Sequence, residues 1–234
     1  MLEFLFPPAC PVCDTPVSTQ GELCADCWTS INWIDGAHCV RCGYPFALEI
    51  DFDAPLCPVC AADRCELDWI RCACVYDEAS KRIMLPFKHC GKINYANFMS
   101  RAMIWALRDV DVSELDVVMP VPLAVRRLRT RAYNQATLLA RPIARAIGVK
   151  MDLDSVRRKY RRDMGHLNAR QRAENIHGVF VVKNPDAIRG KRILLVDDVM
   201  TTGATFAELR RVLIRAGARS VAGVSFCRVA RIGV

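Results

Sequence analysis

Residues 194–205 read LLVDDVMTTGAT, two adjacent carboxylates directly after an apolar run, then three threonines around a glycine. ILLV reads as a strand and the residues from about Phe206 as a helix. The motif therefore falls where a parallel strand hands over to a helix, the place where open α/β sheets bind ligands. A helix N-terminus offers unpaired N–H groups and a partial positive charge, which suit a phosphate. Gly203 lets the backbone come close, and the hydroxyls of Thr201, Thr202 and Thr205 add donors. Carboxylates are poor neighbours for a phosphate unless they face something else, and a sugar's vicinal hydroxyls are such a partner. A ribose 5-phosphate reconciles both halves. Asp197 and Asp198 would take the sugar, and Val199, Met200, Thr201, Thr202, Gly203, Ala204 and Thr205 would cradle the phosphate. A Mg-holding strand of a P-loop NTPase is excluded because GxxxxGK[ST] occurs nowhere in the chain. A phospho-acceptor receiver would carry its acid pair on an early strand, whereas only 36 residues follow Asp198.

Four CxxC pairs form a second constellation: Cys10/Cys13, Cys24/Cys27, Cys39/Cys42 and Cys57/Cys60. A CxxC turn can aim two thiolates at one metal about 2.3 Å away, and two such turns complete a tetrahedral zinc site. Eight cysteines make two structural sites. The short spacers favour consecutive pairing, Cys10, Cys13, Cys24 and Cys27, then Cys39, Cys42, Cys57 and Cys60; a cross-braced arrangement stays open. Four pairs without a βαβ setting are not a thioredoxin pattern. Cys65, Cys72, Cys74, Cys90 and Cys227 read mostly as small buried hydrophobes. Among the histidines only His38, beside Cys39, is a candidate substitute ligand.

Arginine supplies the third pattern. PVPLAVRRLRTRAYNQ, 120–135, holds Arg126, Arg127, Arg129 and Arg131 after a strand. Guanidinium forks there suit pyrophosphate, and Tyr133 could stack on a base. A second basic run, 156–180, contains Tyr160. A solvated basic face is the bland alternative for both stretches.

These groups need elements to position them. Strands are expected at 70–76, 116–122, 178–182, 192–196 and 220–226. Helices are expected over 94–107, from near Tyr133 towards Gly148 with Pro142 kinking or interrupting it, and over 206–216. Phe206, Leu209, Val212, Leu213 and Ala216 share one face of the last helix, and Gly217 follows it as a helix end favours. The alternation predicts an α/β fold, a mostly parallel sheet flanked by helices. Residues 1–64 read as a separate cysteine-rich module that needs metal to organise it, and 65–234 as the α/β domain.

Charge separates the same two parts. Residues 1–60 carry one basic residue, Arg41, against eight acids, while the whole chain has a net charge of +8. Residues 123–162 hold 12 Arg or Lys against Asp152 and Asp154. A polyanionic partner is expected for the second part, whereas the acidic module is a poor nucleic-acid reader by itself. No signal-peptide pattern and no membrane-spanning run is visible, so a soluble, cytoplasmic protein is expected.

VDDVMTTGAT resembles the phosphoribosyl pyrophosphate (PRPP) motif of type I phosphoribosyltransferases. That resemblance implies ribose contacts for Asp197 and Asp198 and a 5-phosphate cradle at Thr201–Thr205. The N-terminal CxxC pairs, FKHCG, PVP followed by RxRxxNQ, and LxxxxRxxN before a GxF strand together resemble the ComF proteins of DNA uptake and natural transformation. This second resemblance nominates Lys88, Arg129, Arg131, Asn134, Gln135, Leu167, Arg172 and Asn175. It departs from the family pattern at Met164, where glutamine is common. What it implies is a PRPP-binding accessory protein that holds single-stranded DNA and works beside a competence helicase or other DNA-processing protein, with two structural Zn2+ and with Mg2+ on PRPP. An active phosphoribosyltransferase is the alternative, although only CRVARIGV follows Phe226 to build a base-binding hood.

Overall fold

The computed structural model describes residues 7–47, 55–62, 65, 67–123, 133–159 and 176–230. Five parallel strands form the central sheet in the order β1-β7-β6-β2-β3. They are β1 (Ile70–Val75), β2 (Val117–Pro120), β3 (Lys150–Met151), β6 (Arg192–Met200) and β7 (Ser220–Arg228). Between β3 and β6 in the chain, β4 (Val156–Arg158) and β5 (Phe180–Val182) pair antiparallel as a separate two-stranded sheet. The strand expected at 178–182 therefore lies outside the central sheet, because its backbone is taken up by β4.

Helices cover both faces. α3 (Glu78–His89), α4 (Tyr95–Ala106) and α5 (Gln135–Ala146) pack on one side, around Phe87, Met99, Met103, Leu139 and Ile143. α6 (Ala204–Arg215) and the β4–β5 sheet pack on the other, around Phe206, Leu209, Leu213 and Phe180. Strand burial of this kind, with β1 and β7 apolar nearly throughout, is what a parallel sheet covered on both faces demands. α3 was not expected from the sequence. Its start is fixed by a capping box, in which the Asp77 carboxylate accepts from the Ser80 N–H and the Ser80 hydroxyl accepts from the Asp77 N–H. Pro86 within α3 and Pro142 within α5 each remove one helical donor, yet both helices run through. Pro142 interrupts nothing because the buried face of α5, from Leu139 to Ile143, is clamped against the sheet.

The cysteine-rich module contributes two short helices, α1 (Ala25–Thr29) and α2 (Pro58–Ala61). It caps the exposed edge of β1: Ile34 N–H donates to Ala73 and Val75 N–H to Asn32, at 3.0 and 2.8 Å, with an antiparallel bridge between Trp33 and Cys74. An unpaired sheet edge is thereby closed within the chain. Gly43 makes the closest approach. A Cβ there would stand 2.9 Å from the Ile70 carbonyl, and its φ of +64° also favours glycine. Among the described residues no helix is long and apolar enough to cross a membrane.

Candidate functional site: an acid pair at the sheet's switch point, and two four-cysteine centres

β6 does not stop at the acids. It runs through Asp197 and Asp198 to Met200, four residues beyond the boundary expected from ILLV. β7 holds it that far, through the pairs Val199–Cys227 and Met200–Arg228, whereas pairing with β2 ends at Val196–Pro120. The chain leaves β6 through α6 towards β7 and leaves β2 through α5 towards β3, in opposite directions along the sheet. The acids thus stand at a topological switch point, where the diverging connections open a crevice.

Within that crevice the two carboxylates are not side by side. Successive strand residues alternate faces. Asp198 shares the side of Leu194 and Val196 with α3–α5, and Asp197 shares that of Ile193 and Leu195 with α6. Asp198, 8% exposed, meets Lys88 Nζ at 3.0 Å, reaching from the last turn of α3. Burial pushes the Asp197 carboxyl up to about 7, and the neighbouring Asp198 charge adds to this; the Asp198 N–H, 2.9 Å from Asp197 Oδ1, and the cations Lys88 and Arg158 oppose it.

Above them sits the turn. Gly203 adopts φ +77°, and among the described residues the nearest atom to a Cβ placed there is Met200 Cε, 3.7 Å away. Among the described residues no side chain caps α6 from its N-cap position; Thr202 Oγ1 accepts from the Ala204 N–H at 3.4 Å. The first-turn N–H groups of a helix have no intrahelical partner, and this is what makes such an end an anion site. Of the other expected residues, Tyr133 and Gln135 donate to the carbonyls of Phe87 and Lys88, at 3.3 and 3.4 Å. Asn134 caps α5 through the Ala136 N–H and donates to the Val121 carbonyl. These three brace the end of α3 that carries Lys88. Arg126, Arg127, Arg129, Arg131, Tyr160, Met164, Leu167, Arg172 and Asn175 lie outside the described residues.

The cysteines gather as two sets, Cys10, Cys13, Cys24 and Cys27, and Cys39, Cys42, Cys57 and Cys60, each with its sulfurs within 4.8 Å of one another. Consecutive pairing is what the structure has. A tetrahedral zinc with bonds of about 2.3 Å needs sulfurs about 3.8 Å apart, and Cys13–Cys24 and Cys42–Cys57 already stand at 3.5 and 3.6 Å. His38 is no ligand: its Nε2 lies 2.9 Å from Asp109 Oδ2 and its Nδ1 2.8 Å from the Gly36 carbonyl. Arg71 also donates to Asp109, joining module to domain. Cys72, Cys74 and Cys227 are buried in the sheet as expected, while Cys90 is exposed.

Comparison with known proteins gives two family matches and several relatives. A family model described as "Double zinc ribbon domain" matches residues 1–61, and one described as "Phosphoribosyl transferase domain" matches 134–231. "DNA utilization protein YhgH" of Escherichia coli O157:H7 is 31% identical over 195 residues, 75% of this chain and 85% of that protein. "Competence protein F" of Haemophilus influenzae is 28% identical over 86% of this chain and 88% of its own length. "Competence protein ComFC" of Bacillus subtilis is 27% identical, covering 88% and 84%. The chain belongs to the ComF family.

Two cations of this ComF chain have no counterpart among the residues expected from the sequence. Arg82 Nη2, from α3, lies 3.9 Å from Cys27 Sγ in the first set, and Arg228 Nη1, from the end of β7, lies 3.8 Å from Cys42 Sγ in the second. A four-thiolate zinc carries about −2 of formal charge, which such guanidinium groups complement. The signal for the second was Arg228 itself, the one charged residue of a mostly apolar strand.

Proposed function

We propose that this ComF protein is a DNA-uptake accessory factor that binds PRPP with Mg2+ at the β6–α6 turn and single-stranded DNA through its basic segments. One observation carries the ligand half: an acid pair and a helix N-terminus whose N-cap residue, Gly203, offers no side-chain cap meet at the sheet's switch point. Asp197 and Asp198 would accept from the ribose hydroxyls from either side of β6, and the 201–205 turn would take the 5-phosphate. Lys88 would steady the anionic ligand once drawn from Asp198. The DNA half is supported by the excess of arginine and lysine in 123–162 and by the competence and DNA-utilization names of the relatives. A competence helicase or another DNA-processing protein is the fitting partner.

Isothermal titration with Mg–PRPP tests this directly. Replacing Asp197 and Asp198 together by Asn abolishes PRPP binding and leaves DNA affinity nearly intact; equal loss of both refutes two separate sites. Alanine at Arg126, Arg127, Arg129 and Arg131 lowers the salt dependence of DNA affinity, by a slope of about 1 for each phosphate that an arginine no longer neutralises. An active phosphoribosyltransferase is the second reading. It is favoured by Asp197, whose carboxyl near neutrality lies in the range of a proton acceptor. Pyrophosphate release in the presence of acceptor bases separates the two readings.

A further inference from the structure

Arg228 joins two parts of the molecule that the sequence keeps far apart. Its side chain is 5% exposed, and its Nη1 donates to the Cys42 carbonyl at 2.5 Å and lies 3.8 Å from Cys42 Sγ. The guanidinium stacks 5.0 Å from the Tyr44 ring centroid, and its Nε is buried with no partner among the described residues. A buried guanidinium with one carbonyl, one thiol and an idle donor is under-compensated. The same cation beside four thiolates on zinc faces a net negative charge, and thiolate sulfurs accept N–H bonds that a thiol accepts weakly.

The backbone of Arg228 lies on the other side of this connection. It pairs with Met200, the last residue of β6 before the turn, and the Val229 N–H donates to the Met200 carbonyl at 2.8 Å. The Arg228 carbonyl accepts from the Tyr76 N–H at 2.7 Å, which ties the end of β1 to the same rung. Met200 is three residues from Gly203.

We infer that zinc in the Cys39/Cys42/Cys57/Cys60 centre controls the order of the β6–α6 turn through Arg228. With zinc bound, the guanidinium is held by the cluster's charge and the final rung of β6, β7 and β1 is closed. Without zinc, the uncompensated cation leaves its buried place, that rung opens, and the turn loses the strand end that sets its geometry. The other centre lacks this connection to the Met200–Arg228 rung: Arg82 comes from α3, which reaches β6 at Asp198 through Lys88 and not at the strand's last rung. This regulation acts on the site proposed above to bind PRPP, but the inference concerns the order of the turn and needs no ligand for its test.

The test is amide hydrogen exchange on the full chain, zinc-loaded and chelator-stripped, reading the Val229 and Tyr76 amides. Those of Met99 and Met103 in α4 serve as the internal reference for global unfolding. Stripping accelerates Val229 and Tyr76 at least about tenfold while α4 stays protected. In Arg228→Met, a near-isosteric apolar replacement, both amides exchange at one rate with or without zinc. In Arg82→Met they respond to zinc as in the natural chain. Unchanged exchange on stripping the natural chain, equal acceleration in α4, or a full zinc response in Arg228→Met each overturns the inference. If Arg228→Met does not fold, the stripped and loaded natural chain and Arg82→Met still decide it. Failure to bind PRPP by the zinc-loaded chain counts against the proposed function and leaves this exchange result standing.

Discussion

Replacing Asp197 by Asn should stabilise the ligand-free protein while destroying its ligand site. The carboxyl's folded pKa is raised to about 7 from an ordinary 3.8, by burial first and by the Asp198 charge second. Folding therefore tightens its hold on a proton, so stability is full below about pH 4, falls as pH rises towards 7, and stays reduced above. The shift corresponds to about 4 kcal/mol at 1.36 kcal/mol per pH unit, and the partial exposure of Asp197 to solvent lowers this to about 2–4 kcal/mol. Asn keeps the acceptor that the Asp198 N–H uses but carries no charge to bury. At pH 8, with zinc saturating, Asp197→Asn should unfold roughly 5–10 °C above the natural chain, and at pH 4 the two midpoints should nearly coincide. Calorimetry or circular dichroism melts at pH 4, 6 and 8 measure it. A difference independent of pH, or a less stable Asn variant at pH 8, refutes the claim that this carboxylate is held against its own solvation. The gain on removing the charge would mark the site as one where stability is given up for binding.

The metal centres and the glycines give two simpler expectations. Metal analysis should find two zincs per chain, and Cys24→Ser or Cys57→Ser should each lower the count to one, because the two sets share no ligand; retention of both metals would refute the consecutive pairing. Gly223→Ala should destabilise by about 1–3 kcal/mol, since its Cβ would stand 2.9 Å from Phe206 Cε1. Gly203→Ala has room for its methyl and should cost only about 1–2 kcal/mol, for the left-handed φ of +77°. Denaturant unfolding with the two costs reversed would show that the β7–α6 packing is looser than the structure has it.

The amino-acid sequence by itself determined what depends on neighbours along the chain. The CxxC turns specify that thiols meet in twos, and their short spacers favour consecutive pairing, but the structure was needed to choose it over a cross-braced one. Strand, acids, hydroxyl turn and helix at 192–215 were legible because period, glycine and apolar face are local properties. The helix at 78–89 was legible in principle from Asp77 and Ser80, its capping pair. Tertiary structure alone decided the rest. That Asp197 and Asp198 lie at a switch point follows from strand order, which rests on contacts between residues far apart in the chain. Asp198 acquires Lys88 only because α3 and β6 pack together, 110 positions apart in number. Arg228 meets Cys42 only because the cysteine-rich module closes the β1 edge of the sheet. Such pairings are chosen by burial and edge closure across the whole molecule, and no local pattern in the sequence encodes them.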